Sequence, residues 1–278
     1  MKIADLTALE ILDSRGRPTI QVNCTLDSGE TGTAQVPSGA STGRAEAHEL
    51  RDGDKARYGG LGCLNAVANV QREFKAHLVG ESINDQAALD KRLIEIDGTD
   101  NKARLGANAI LGISLAFARA SALAKAQPLY AYFAELHGEN ISTLPRLTIN
   151  LFSGGKHAGG QVALQDVLVV PGTASSIHKG LQDVVSVYNC AADHMLEHYN
   201  MRKLTADEGG LAPAFSDINA MFQAADKAID RAGLAGHVQL ALDVAASHFH
   251  TYQGYALNGT GPISAAEMIS SLNDWSHQ

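Results

Sequence analysis

Five side chains, His157, Gln165, Asp166, Glu208 and Asp243, stand where reactive groups collect in alternating α/β proteins, at the ends of predicted strands or in the loops just beyond them. Asp207 and Glu208 are adjacent carboxylates set against a Gly-Gly pair in LTADEGGLAP, residues 204–213. The same residues also make an ordinary solvated turn, since Asp and Gly favour turns and proline stops a helix. Asp243 closes the apolar run VQLALD, where a carboxylate is costly unless it is paired, capping or bound to a metal. Gln165 and Asp166 form a polar pair embedded in the second such run, QVALQDVLVVPG. His157 lies in GGKHAGG, whose four glycines let the backbone wrap a ligand or form a plain surface loop. Ser38, in PSGASTG (residues 37–43), offers a hydroxyl on permissive backbone. Such a loop can close over a site, donate oxygen to a hard cation, or serve only as a linker. It is not a P-loop, because no Gly-Lys-Ser/Thr follows the glycines.

These groups need strands and helices to position them. The first 35 residues alternate at period two, with Thr19, Gln21 and Asn23 interleaved with Ile20, Val22 and Cys24, and LDSGETG reads as a hairpin turn. Helical patterns follow in LNAVANVQREFKAHLVG, DQAALDKRLIEIDG and NAILGISLAFARASALAKA. In the last, Ile110, Ile113, Leu115, Phe117 and Ala118 form a broad apolar face that predicts a core helix. From about Leu144 the texture changes to strand, turn and strand. Two helices come next, and then HVQLALDVAA, whose near-continuous apolar character predicts a buried parallel strand. The expected architecture is an α+β N-terminal domain over residues 1–140, followed over 141–278 by α/β, an incomplete (β/α)8-type barrel.

Composition narrows the classes. The chain has 278 residues, 45% hydrophobic and 19% charged, with a formal net charge of −8. That balance suits a globular protein with a sizeable core. The acidity argues against nucleic-acid or anionic-membrane partners, though bound cations can reverse the sign locally. Cys24, Cys63 and Cys190 are widely spaced and odd in number, which predicts free thiols in a reducing cytoplasm. The N-terminal stretch lacks the apolar core of a secretion signal, and no run approaches the ~18 uninterrupted apolar residues of a membrane span.

DSRGRPT, VPSGASTG, ELRDGD, IEIDGTDNKARLGANAILGISLA, PLYAYFA, GGKHAGG, ALQD, DEGGLAP and LALDVAAS occur in this order along nearly the whole chain. Jointly they resemble the enolase family, the magnesium-dependent lyases that interconvert 2-phosphoglycerate and phosphoenolpyruvate in glycolysis. The resemblance implies a cytoplasmic homodimer and a role for each candidate residue. Asp243 would bind the tighter Mg2+, and Ser38 a second Mg2+ that arrives with substrate. His157 would close near the substrate phosphate and carboxylate, with Gln165 and Asp166 flanking metal and substrate. Glu208 would be the acid that helps the 3-hydroxyl leave, its proton retained partly through crowding by Asp207. Removing a proton beside a carboxylate builds negative charge that divalent cations stabilise most directly.

Four positions depart from the family pattern as we expect it. Asp166 and His248 stand where glutamate is usual, and Ser153 and Arg17 where asparagine is usual. The shorter Asp166 must reach its partner differently. A complete barrel needs roughly 200–250 residues, and residues 141–278 are enough for only part of one. The family's lysine base and two further metal carboxylates are therefore expected beyond Gln278, so these 278 residues alone are expected to be inactive. Three other readings stay open. The first is a phosphonate-handling homologue, kept open by Asp166 and His248. The second is a non-catalytic interaction protein that retains the first domain. The third is a transition-metal site of Asp243, His248 and His250, disfavoured because Asp243 would point away from the histidines on a continuous strand.

Overall fold

Period-two alternation becomes sheet in residues 3–35. Strands β1 (Ile3–Leu12), β2 (Pro18–Leu26) and β3 (Thr31–Gln35) pair antiparallel in the order β1-β2-β3. Leu6, Ala8, Ile20, Val22, Cys24 and Ala34 are buried on one face, while Thr7, Asn23 and Thr33 line the other and hydrogen-bond across the strands. The computed structural model describes all residues except 40–42, 44, 173–175, 258–260 and 278. They form two compact units, Met1–Thr143 and Leu144–Gln278.

In the first unit the apolar face of the sheet is covered by helices. These are α1 (Leu64–Asn69), continued by a π turn over Val70–Phe74 into α2 (Lys75–Leu78), then α3 (Gln86–Asp97) and α4 (Ala107–Ala124), while α5 (Leu129–His137) packs on α4. Ile110, Ile113 and Phe117 of α4 are buried, each such side chain contributing about 1.5–3 kcal/mol. Helix α4 lies so close to β3 that a Cβ on Gly32 would collide with the Ala116 carbonyl oxygen. Its 18 residues are long and apolar enough to cross a membrane, but 61% of that window is buried within the unit, as in a core helix. Asp85 caps α3 by accepting the Ala88 amide hydrogen at 2.7 Å, and Gly98 ends the helix in the left-handed region. Both are common solutions for the unpaired groups at helix ends.

The second unit contains β4 (Ile149–Ser153), β5 (Asp166–Pro171), α6 (Ile177–Tyr199), α7 (Ile218–Arg231), β6 (Val238–Asp243), a short hairpin of β7 (His250–Thr251) and β8 (Gly254–Tyr255), and α8 (Ala265–Ser276). Its main sheet has the order β4-β5-β6, and among the described residues it is not closed into a barrel. Both pairings are antiparallel, so the expectation of a parallel VQLALD strand beside its neighbour is corrected. The physical reason is the connection. A single crossover helix returns the chain to the start of the next parallel strand, whereas two successive helices, α6 and α7, bring it back to the end it left. Strand β6 therefore runs opposite to β5 and along the direction of β4. Nor is β6 buried throughout: Val238 is buried, Leu240 and Leu242 are half-buried, and Asp243 is exposed. Strand β5 begins at Asp166, so Gln165 lies just outside it rather than within it.

Candidate active site

The antiparallel register brings three polar residues into one row. Ser153 at the end of β4 pairs with Asp166 at the start of β5, and Asp166 pairs with Asp243 at the end of β6. Residues far apart in the chain thus share one end of the sheet, where loops can add further groups.

Asp166 and Ser153 are buried, with Asp166 only 2% exposed. The Ser153 hydroxyl donates to Asp166 Oδ1 at 2.8 Å, and the Asn150 amide donates to the same oxygen at 2.6 Å. Asn150 also reaches Ser153 Oγ at 3.1 Å. A buried carboxylate is costly unless hydrogen-bonded, and these two donors supply the bonds. The side chain at 166 thereby meets its neighbours directly, and one donor is Ser153, where the resemblance led us to expect asparagine. Gln165 donates through Nε2 to Asp243 Oδ2 at 3.0 Å, while Asp243 Oδ1 accepts the Ala245 amide hydrogen at 3.2 Å. Two buried acceptors in this cluster, Gln165 Oε1 and Asn150 Oδ1, have no hydrogen-bond partner. Asp243 and the orphaned Gln165 Oε1 beside it offer hard oxygen donors of the kind that suits a cation such as Mg2+.

The segment with Asp207 and Glu208 is attached to the same strand end. Leu211 runs beside β4, donating its amide hydrogen to the Leu151 carbonyl at 2.8 Å and accepting from the Ser153 amide at 2.9 Å. The Ala206 amide bonds Gly210 O at 2.9 Å, which closes a tight turn with exposed Asp207 and Glu208 at its tip. Gly209 adopts φ +83°, and Gly210 packs so closely that a Cβ there would lie 2.5 Å from Ser153 Oγ and 2.6 Å from Asn150 Oδ1. The two glycines therefore do different things: one allows the turn, and the other allows the approach to the Asp166 cluster. Tyr188 on α6 donates its hydroxyl to the Gly209 carbonyl at 2.8 Å, and burial raises its pKa, favouring the protonated donor. Residue typing did not single out Tyr188 or Asn150. The β4 sequence could have pointed to Asn150, a polar residue in an apolar strand, but nothing local marks Tyr188.

The GGKHAGG loop folds back on the segment before β5. Gly154 and Gly155 donate to the carbonyls of Gln165 and Val162 at 2.6 and 2.8 Å, and Gly155–Ala158 forms a single 3-10 turn. The backbone of His157 belongs to that turn, while its side chain lies outside the described residues. Ser38 belongs to the first unit. Its hydroxyl accepts from Arg51 at 2.7 Å and donates to Glu49 at 3.2 Å, and its carbonyl accepts from Arg15 at 2.5 Å. Residues 40–42 of its loop lie outside the described residues. His248 lies in a 3-10 turn and His250 in the small hairpin. Among the described residues, the histidine-containing cluster with converging ligand atoms lies elsewhere, on α6.

An α+β unit built on an antiparallel sheet, followed by a unit of sheet and helices that gathers carboxylates and an orphaned amide oxygen at one end of its own sheet, defines a two-unit protein of mixed α and β structure with a metal-compatible site. Comparison with known proteins gives the particular family. The model of the enolase N-terminal domain matches residues 3–133, and that of the enolase C-terminal TIM barrel domain matches residues 141–277. The chain belongs to the enolase family. It is 44% identical over 251 residues to Enolase 1 of Entamoeba histolytica, an alignment covering 90% of this chain and 57% of that protein. The chain thus spans little more than half the length of that relative.

Proposed function

We propose that these residues form part of the active site of a cytoplasmic, homodimeric glycolytic lyase that removes water from 2-phosphoglycerate to give phosphoenolpyruvate. The observation that carries this reading is the aligned row Ser153–Asp166–Asp243, with the Glu208 turn packed on its Ser153 end. Asp243 and Gln165 would hold Mg2+, and Ser38, by resemblance alone, is assigned to a second Mg2+. When bound, the ions supply positive charge that offsets the charge developing at the substrate carboxylate. Glu208, on its exposed turn, donates a proton to the departing 3-hydroxyl, because hydroxide is otherwise a poor leaving group. Asp166, held by Ser153 and Asn150, keeps the cluster beneath that turn fixed. His157 is assigned to the substrate phosphate and carboxylate region.

The test is ultraviolet absorbance of the enol product after adding 2-phosphoglycerate and Mg2+. Where product forms, Glu208→Gln should lower its rate by about 10²–10⁴-fold. A rate unchanged by both Glu208→Gln and Asp243→Ala would remove these residues from the chemistry. Preference for a phosphonate substrate would replace the proposed reaction with that of a phosphonate-handling homologue. Calorimetry of the 278-residue chain with Mg2+ is expected to show weak binding. Tight binding abolished by Asp243→Ala would contradict the small donor set assigned here.

A further inference from the structure

A second group of ligand-type side chains lies in the last turns of α6, away from the residues assigned to the lyase reaction. His194, Glu197 and His198 follow at i, i+3 and i+4, a spacing that puts side chains on one helical face. The imidazole rings of His194 and His198 have centroids 4.3 Å apart, and one ligand atom from each of the three residues lies within 4.8 Å of the others. His194 is 7% exposed, and among the described residues neither of its ring nitrogens makes a hydrogen bond; its close neighbours are the rings of His198 and Tyr199. The His194 ring is held by ring contacts rather than by hydrogen bonds, which leaves its nitrogens available to an incoming ion.

We propose that this turn of α6 binds a zinc-class divalent transition-metal ion, with His194 and His198 as nitrogen ligands and Glu197 as the third ligand. Imidazole suits zinc and its first-row neighbours, whereas Mg2+ prefers oxygen, so this site and the Asp243 cluster select different ions. Ligand atoms around a tetrahedral zinc at ~2.1 Å stand about 3.4 Å apart. Exposed Glu197 and His198 therefore close in by side-chain rotation onto buried His194. The surrounding charges nearly cancel. Lys227 and Arg231 of α7 face the cluster, against Glu197 and Asp193 on α6. Arg231 engages both carboxylate oxygens of Glu197 at 2.7 and 2.9 Å, so metal binding competes with a bridge that joins α6 to α7.

The experiment is a calorimetric titration of the 278-residue chain with ZnCl2 in excess Mg2+, which occupies oxygen sites, alongside the visible absorption of the Co2+-loaded chain. One equivalent of Zn2+ and a cobalt band of low coordination number are expected. His198→Ala, at an exposed position and with its fold checked by circular dichroism, should weaken binding at least about tenfold. Arg231→Ala, which frees Glu197, should tighten it. Equal affinity in wild type and His198→Ala overturns the site. Unchanged affinity in Glu197→Gln overturns the three-ligand arrangement.

Discussion

Gly210→Ala places one methyl group between the Glu208 turn and the buried cluster beneath it. The new Cβ would lie 2.5 Å from Ser153 Oγ, 2.6 Å from Asn150 Oδ1 and 2.9 Å from Asn150 Cγ, closer than real Cβ contacts allow. Either the turn lifts from β4, or Ser153 and Asn150 shift and loosen their bonds to Asp166. Overpacking of this kind costs about 1–3 kcal/mol. Gly210, unlike Gly209, does not adopt a positive φ. Restricting the unfolded chain therefore returns about 0.4–1 kcal/mol. Destabilisation wins, by about 1–2 kcal/mol. With a urea slope of about 2 kcal/mol per molar, the midpoint falls by about 0.5–1 M. The chain's single tryptophan, Trp275, packs edge-on to Phe222 at 5.7 Å in the same unit, so its fluorescence follows the relevant transition. Ser153→Ala removes the nearest clashing atom, so the double mutant should show a favourable coupling of at least about 0.5 kcal/mol. Gly209→Ala is the control, since a Cβ there meets nothing within 4 Å. Its cost of about 1–2 kcal/mol comes from positive φ alone, and Ser153→Ala should not relieve it. A Gly210→Ala midpoint at or above wild type, or strict additivity with Ser153→Ala, would refute the close packing of the turn on the cluster.

Two further outcomes follow from the same physical reasoning. Tyr188→Phe removes the hydroxyl that holds the Gly209 carbonyl. The loss should cost about 0.5–1.5 kcal/mol in the Trp275-monitored transition, with no change if the contact contributes nothing. In the first unit, Arg57 holds the Glu10 carboxyl below its ordinary 4.5; burial opposes this and the Cys63 amide adds to it. A depressed carboxyl stabilises the fold above its unfolded pKa and loses that contribution as pH falls through the folded value. Acidification below about 4.5 should therefore destabilise the first unit less in Glu10→Gln than in wild type. Circular dichroism and Cys63 amide exchange would measure this, and identical acid limbs would exclude Glu10.

Much was legible because local signals are strong where one face of an element is buried. Period-two alternation located β1 and β2, and the apolar face of α4 identified a core helix, since a half-buried strand or helix must repeat at about 2 or 3.6 residues. The motifs around His157, Glu208 and Asp243 likewise identified the family without coordinates. Strand direction in the second unit was less legible. VQLALD reads the same whichever way its neighbour runs, and only the two-helix connection through α6 and α7 decides it.

By itself, the order of residues determined which side chains are available: carboxylates at 166, 208 and 243, an amide at 165, glycines at 209 and 210. Tertiary structure alone decided their company. Pairing register is a long-range property, and it set Ser153, Asp166 and Asp243 in one row. It also brought Asn150 onto Asp166 and left Gln165 Oε1 and Asn150 Oδ1 unsatisfied. Such contacts join residues up to 78 positions apart, beyond the reach of any local pattern, because they exist only once the chain has closed the loops between them.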